Sequence, residues 1–215
     1  MKKHLIYLTT AIIAMAMIFT ACEREEYGEV LPPAETDSYE DEDMSIITAT
    51  NVLYGNSSIA TVKFLLYYYA DEDSYSEAGV IATGKYENDG FKLTLPDIID
   101  SKYFVNHSLA DYFGLEEKCI SDNKARMTEW GGVSIDAYDK AGNEIGWFNY
   151  EGEGDIWCFY VYVDRDLTIK GSSAYSGIFD CTFKKGWNII YHYGRHTTKK
   201  PANMTFRWYF DTYQN

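Results

Sequence analysis

Basic residues are the scarcer charge in this 215-residue chain, 19 Lys and Arg against 33 Asp and Glu, for a net charge of −14. A duplex-binding surface needs a basic excess, so no nucleic-acid partner is expected. Histidines number only four, and one of these is His4 at the start. His192 and His196 stand four apart, as zinc ligands on a helix do. They fall in a strand and the loop after it, without an H-E-x-x-H glutamate, and read as structural or solvent-facing. No cysteine pair has the C-x-x-C spacing of a metal site. No G-x-S-x-G surrounds Tyr75-Ser76-Glu77, Ser121-Asp122 or Ser172-Ser173, so a serine nucleophile has no support. Glu151, Glu153, Asp155, Asp164 and Asp166 offer the carboxylate pairs a glycosidase needs, and Asp71-Glu72-Asp73 with Asp164-Arg165-Asp166 offer oxygens to calcium. These acids sit in turns, where acids are commonplace, and no Asp-x-Asp-x-Asp-Gly loop exists. The expectation is a non-enzymatic protein without metal or cofactor.

Long apolar runs are equally few. The single one, Leu5 to Phe19, is 15 residues long and interrupted by Thr9 and Thr10. A bilayer span wants about 20. Lys2 and Lys3 before it, and Thr20-Ala21-Cys22 after it, complete the three regions of a cleaved export signal, residues 1–21. Phe19-Thr20-Ala21-Cys22 resembles the lipobox of bacterial lipoproteins, with Phe in place of the usual Leu. That resemblance implies cleavage before Cys22 and a diacylglycerol on its sulfur. Glu23, Glu25 and Glu26 follow directly, similar to the acidic tether by which Bacteroidetes-type lipoproteins reach the outer surface of the outer membrane. The localisation so implied is the outer membrane, lipid-anchored and facing the cell exterior.

Residues 23–43 hold ten acids and one base, Arg24, for −9. With Pro32-Pro33 and almost no β-branched residue, the segment cannot bury enough apolar area to offset chain entropy, and 22–43 reads as a disordered acidic tether. Removing Lys2 and Lys3 with the leader gives −14 − 2 = −16, so residues 44–215 carry −16 + 9 = −7. Their length suits one domain. Once Cys22 is set aside, Cys119, Cys158 and Cys181 remain, allowing at most one internal disulfide. Cys158 and Cys181 lie in strand-like runs and are the candidate pair; buried free thiols are the other reading.

From Ile46 onward the hydrophobic period is two. VKFLLYYY, GFKLTLP, GVSIDAY, WCFYVYVD, GWNIIYHY and MTFRWYFDTY are rich in aromatic and β-branched residues, so the domain is all-β. In the last run Met204, Phe206, Trp208 and Phe210 oppose Thr205, Arg207, Tyr209 and Asp211, as one wet face requires. The run from Ile156 to Val163 is apolar on both faces and belongs at the centre. Asn88-Asp89-Gly90, Lys140-Ala141-Gly142-Asn143, Gly152 to Gly154 and Lys185-Gly186 read as hairpin turns. Ser108 caps one short helix reaching Glu117. About ten antiparallel strands form a sandwich, with a closed or partly open barrel as the alternative and two sub-sheets dividing near 100–120. The stretch from ITATNV through GFKLTLP resembles the transthyretin-like or carboxypeptidase-regulatory β-sandwich, and no lipocalin-type Gly-x-Trp opening favours the barrel.

Aromatics are abundant, with 20 Tyr, 11 Phe and 5 Trp. Rings with polar tips suit sugar stacking and protein interfaces, although β-propensity alone also enriches them. Lys184 to Arg207 contains six Lys or Arg and no acid. Trp187, Tyr193 and Tyr209 with Lys184, Lys185, Arg195, Lys199 and Lys200 are therefore the candidate binding residues for an anionic partner; a rim of lysines that blunts strand edges is the plainer reading. The expected function is a lipid-anchored surface domain that binds a glycan or a surface protein. The rival is a structural or accessory subunit of an outer-membrane complex without its own ligand.

Overall fold

The computed structural model describes residues 44–68, 77–154 and 156–213. Cys22, the acidic segment 23–43, Asp71-Glu72-Asp73, Tyr75-Ser76 and Asp155 lie outside them. Twelve strands carry the described fold. They are β1 (Ile46–Ala49), β2 (Thr61–Tyr68), β3 (Glu77–Glu87), β4 (Gly90–Thr94), β5 (Val133–Tyr138) and β6 (Glu144–Gly152), then β7 (Ile156–Val163), β8 (Leu167–Ser173), β9 (Gly177–Phe183), β10 (Gly186–His192), β11 (His196–Thr197) and β12 (Phe206–Thr212). They form one mixed sheet ordered β1-β4-β3-β2-β5-β6-β7-β10-β11-β9-β8, with β12 also on β6. The sheet does not close into a barrel.

β6 is where the sheet folds over. Its first part, to Trp147, pairs with β5, its last part, Tyr150 to Gly152, pairs with β7, and β12 runs along it from Gly146 to Gly152. β5 and β7 diverge, and the two halves of the sheet face each other as a sandwich. Phe64 of β2 meets Trp187 of β10 edge-on at 5.3 Å and Tyr160 of β7 at 6.1 Å across this first core. Offset and edge-on ring pairs add to the area they bury.

β7 is buried on both faces from Phe159 to Val163, while Trp157 near its start is exposed. Tyr160 and Tyr162 enter the first core, while Phe159, Val161 and Val163 enter a second one. Residues 105–130 roof that second core. Within this segment α1 (Leu109–Phe113) has only five residues, too few for a helix to hold by itself. Ser108 caps its start by accepting from the Asp111 amide, Gly114 ends it in the left-handed region at φ 63°, and Leu109, Ala110 and Phe113 are buried. Backbone bridges from Ile120 to Ile169 and from Met127 to Val163 lace the segment to β8 and β7.

Two expectations need correction. Cys158 and Cys181 are free thiols, as is Cys119. Cys158 packs against the first core and Cys181 within the second, on opposite faces of the sheet with β10 and β11 between their strands. Burial pushes both thiols up to about 12, which leaves them protonated. Lys185-Gly186 joins β9 to β10 without closing a hairpin, because β11 inserts between them and runs parallel to β9.

Candidate functional site

Cross-strand register assembles a distinctive row on the outer, solvent-facing side of β2, β5, β6 and β12. Lys63 stands opposite Asp136, Asp136 opposite Trp147, and Trp147 opposite Asp211. Directly paired residues share a face, and the alternate residues Phe64, Ile135, Phe148 and Phe210 point into the first core. Between β5 and β6 the ladder slips, pairing Tyr138 with Glu144 and Ala137 with Gly146, so Ile145 is extra. Such a bulge re-aims the side chains around it. It brings Glu144 onto the row of Asp136. Gly146 permits the approach of β12, since a Cβ there would strike the Asp211 carbonyl.

Asp136 is only 3% exposed although it sits on the outer face. Burial raises its carboxyl above the ordinary carboxylate range, with the Glu144 charge adding to the rise and the Ser134 hydrogen bond and Lys63 opposing it. The Ser134 hydroxyl donates to Asp136 Oδ1. The same serine lies near Tyr67, where it partly opposes the rise of that phenol's pKa. The Tyr213 hydroxyl donates to Glu144 Oε1, and that bond is the main cause of its raised pKa. Burial, then the two carboxylates, raises Tyr67 and Tyr138 as well. The phenols around these acids are therefore held protonated.

The rings form the surface of this network. Trp147 and Tyr213 lie 5.0 Å apart, Tyr213 is half-exposed, and Lys63 Nζ sits 3.6 Å from the centre of the Tyr138 ring. Asn149 Nδ2 donates to Asp211 Oδ2 at 2.7 Å. Further along β12, Tyr209 carries Tyr54 at 6.3 Å, and Tyr54 is 77% exposed. Three acids, Asp136, Glu144 and Asp211, against Lys63 make the face unsuited to a polyanion. It offers flat apolar area edged with hydrogen-bonding groups.

Asp136→Asn is expected to stabilise the protein. A raised folded pKa means that the folded state binds more protons, so the penalty of the buried anion grows as pH rises above the unfolded value of 3.8. The amide removes that penalty and keeps an oxygen for Ser134. Thermal melts should show the variant above wild type at pH 7 and converging with it near pH 4; a lower melting temperature at pH 7 would mean that Lys63 and Ser134 more than offset the burial.

Of the candidate binding residues marked in the sequence, Tyr209 alone belongs to this face. Trp187 is buried in the first core, its indole N–H donating to the Pro96 carbonyl at 2.9 Å. Lys184 and Lys185 lie at the β9–β10 turn, bound through the Lys184 ammonium and the Lys185 amide to Asp166. Tyr193, Arg195, Lys199 and Lys200 lie beyond the other end of β10, roughly 20 Å away at the usual rise per residue. The five bases are thus not gathered on one patch. Burial works against the Asp164 carboxylate, yet hydrogen bonds from Arg165 and Arg126 hold it below the usual range, so the Asp164–Asp166 turn already spends its oxygens on cations. Among the described residues no group of three or more His, Cys, Asp or Glu is placed to hold a metal.

The two histidines meet across β10 and β11, with their Nδ1 atoms 3.1 Å apart. His196 Nε2 contacts the Ser176 carbonyl at 3.0 Å and must carry the proton there, since a carbonyl only accepts. Its Nδ1 is then an acceptor, so His192 Nδ1 is the donor and His192 Nε2 is a bare lone pair. Burial, helped by His192, depresses His196 to about 4. The neutral pair therefore contributes stability that is complete above the unfolded value of 6.5 and is lost as pH falls from 6.5 to about 4. Melting temperature should fall across that window, and less steeply in His196→Gln; equal slopes would remove the pair as the cause.

No family model, curated protein or solved structure matches the chain.

Proposed function

We propose that this is a lipid-anchored domain of the outer-membrane surface that binds carbohydrate on the outer face of β2, β5, β6 and β12, without catalysis. The observation that carries the reading is the pairing of exposed and half-buried rings with a fixed donor and acceptor network on one sheet face. Trp147, Tyr213, Tyr209 and Tyr54 supply stacking area at low entropy cost, and Glu144, Asp211 and Asn149 lie beside them to meet hydroxyls. Asp136 is too deeply covered to reach a glycosidic oxygen, so it orders the face and does not serve as a general acid. The lipobox-like Phe19 to Cys22 and the acids after it support the anchor and the exposure.

A glycan array probed with the mature chain carrying Cys22→Ala tests the reading. Binding to one family of neutral glycans, lost in Trp147→Ala, is the expected result. A blank array, together with capture of a membrane-protein complex by the lipidated chain, would favour the accessory-subunit reading instead.

A further inference from the structure

The same face of β6 continues beyond the Asp136 row. Trp147, Asn149 and Glu151 alternate along it, opposite Asp211, Tyr209 and Arg207 of β12. Glu151 then stands opposite Trp157, Trp157 opposite His192, and His192 opposite His196. A second ring cluster thus lies at the far end of the stripe that begins at Trp147 and Tyr213. Four residues of strand and one strand spacing separate Trp147 from Trp157, about 14 Å. A single sugar ring cannot bridge them. A crevice of about 110 Å³, lined in part by Ser134, Trp147, Asn149 and Phe159, opens between the two ends where β5 and β7 part.

Trp157 is built as a platform. It is 46% exposed and is flanked by Phe159, two residues along the strand, at 5.4 Å and by His192, directly across on β10, at 4.6 Å. Phe159 in turn packs on Trp130 at 5.0 Å, inside the second core. The ring is therefore braced by its neighbours and loses little freedom on binding. The tautomer chain that begins at the Ser176 carbonyl leaves His192 Nε2 as an acceptor beside the indole. The row adds one acid, Glu151, and one base, Arg207, whose charges cancel.

We propose that Trp157 and His192 form a second stacking subsite, so that the ligand is a neutral, linear oligosaccharide laid along β6 and β12. This rests on the carbohydrate reading above and adds its polarity and length. Trp147 and Tyr213 hold one end, Tyr209 and Asn149 the middle, and Trp157 the other, where a sugar hydroxyl donates to His192 Nε2.

Calorimetric titration of the mature chain, Cys22→Ala, with malto-, cello-, xylo- and manno-oligosaccharides of two to seven units provides the test. In the series that binds, affinity should rise at least 10-fold from two units to six. Trp157→Ala should remove that gain and leave the two-unit affinity unchanged, Trp157→Tyr should keep most of it, and Trp147→Ala should weaken both lengths. A six-unit affinity untouched by Trp157→Ala, but lost in Trp147→Ala, overturns the second subsite and leaves the carbohydrate reading intact. If no series binds, both are overturned. Self-association of the chain that Trp157→Ala abolishes, with no oligosaccharide bound, would also overturn the subsite. Should Trp157→Ala melt early, Trp157→Tyr and His192→Phe carry the comparison: the first should retain the length gain and the second reduce it.

Discussion

Trp187→Ala should bring the domain close to unfolding. Trp187 fills the centre of the first core, edge-on to Phe64 at 5.3 Å and to Tyr162 at 5.4 Å. Truncating a buried tryptophan costs about 3–5 kcal/mol, and losing its hydrogen bond to the Pro96 carbonyl adds about 1 kcal/mol. Domains of ordinary stability hold only about 5–15 kcal/mol in all. Trp187→Phe keeps a ring between Phe64 and Tyr162 and should recover most of the loss. Denaturant titration followed by tyrosine and tryptophan fluorescence checks both. An alanine variant within 1 kcal/mol of wild type, itself about a fivefold change in the folding constant, would show that the ring is not a core element.

The second large effect follows from the proposed anchor. Cys22→Ser should abolish labelling by a fatty-acid probe. With its leader exchanged for an ordinary cleavable secretory signal, the variant should move entirely into the soluble fraction. Stable anchoring takes two acyl chains or an equivalent second signal, and a diacylglycerol thioether supplies both through one sulfur. Among the described residues no helix is long and apolar enough to cross a membrane. Retention of the exchanged-leader variant in carbonate-washed membranes would point to another means of attachment.

Periodicity of two and turn chemistry carried most of the fold. Ile156 to Val163, apolar on both faces, forms β7, buried on both faces from Phe159 onward, and the alternation from Phe206 to Asp211 sets Trp208 and Phe210 inward and Arg207 and Asp211 outward. Asn88 and Asp89 take φ of 51° and 54°, the left-handed pair that a tight hairpin demands. β8 escaped because its second half, Lys170-Gly171-Ser172-Ser173, has little apolar content, and β11 because two residues make no pattern. The pairing of β11 with both β10 and β9, which broke the expected hairpin, is a long-range arrangement that local turn chemistry does not encode.

The candidate face was harder to read. The basic run from Lys184 to Arg207 is contiguous in sequence but is divided by the length of β10 in space. The residues of the face come from four separate strands, and only the register Lys63–Asp136–Trp147–Asp211 unites them. Two signals were present without that register. VSIDAY places a carboxylate in the middle of an apolar strand, and EIGWFNY sets Trp147 and Asn149 in alternation with Phe148. A buried acid in a strand pattern is unusual enough to mark a site.

The most direct measurement compares ring removal with charge removal. For the glycan selected on the array, affinity is titrated against ionic strength for wild type, for Trp147→Ala with Tyr213→Ala, and for the variant with Lys184, Lys185, Arg195, Lys199 and Lys200 neutralised. Stacking on an uncharged ligand does not depend on screening, whereas exposed charge pairs weaken with added salt. The expected result is a loss of at least 100-fold in the ring variant at unchanged melting temperature, with wild-type affinity insensitive to salt and the neutralised variant indistinguishable from wild type. Affinity that survives the loss of both rings, but falls with salt and with the five bases, would contradict a binding face on β2, β5, β6 and β12.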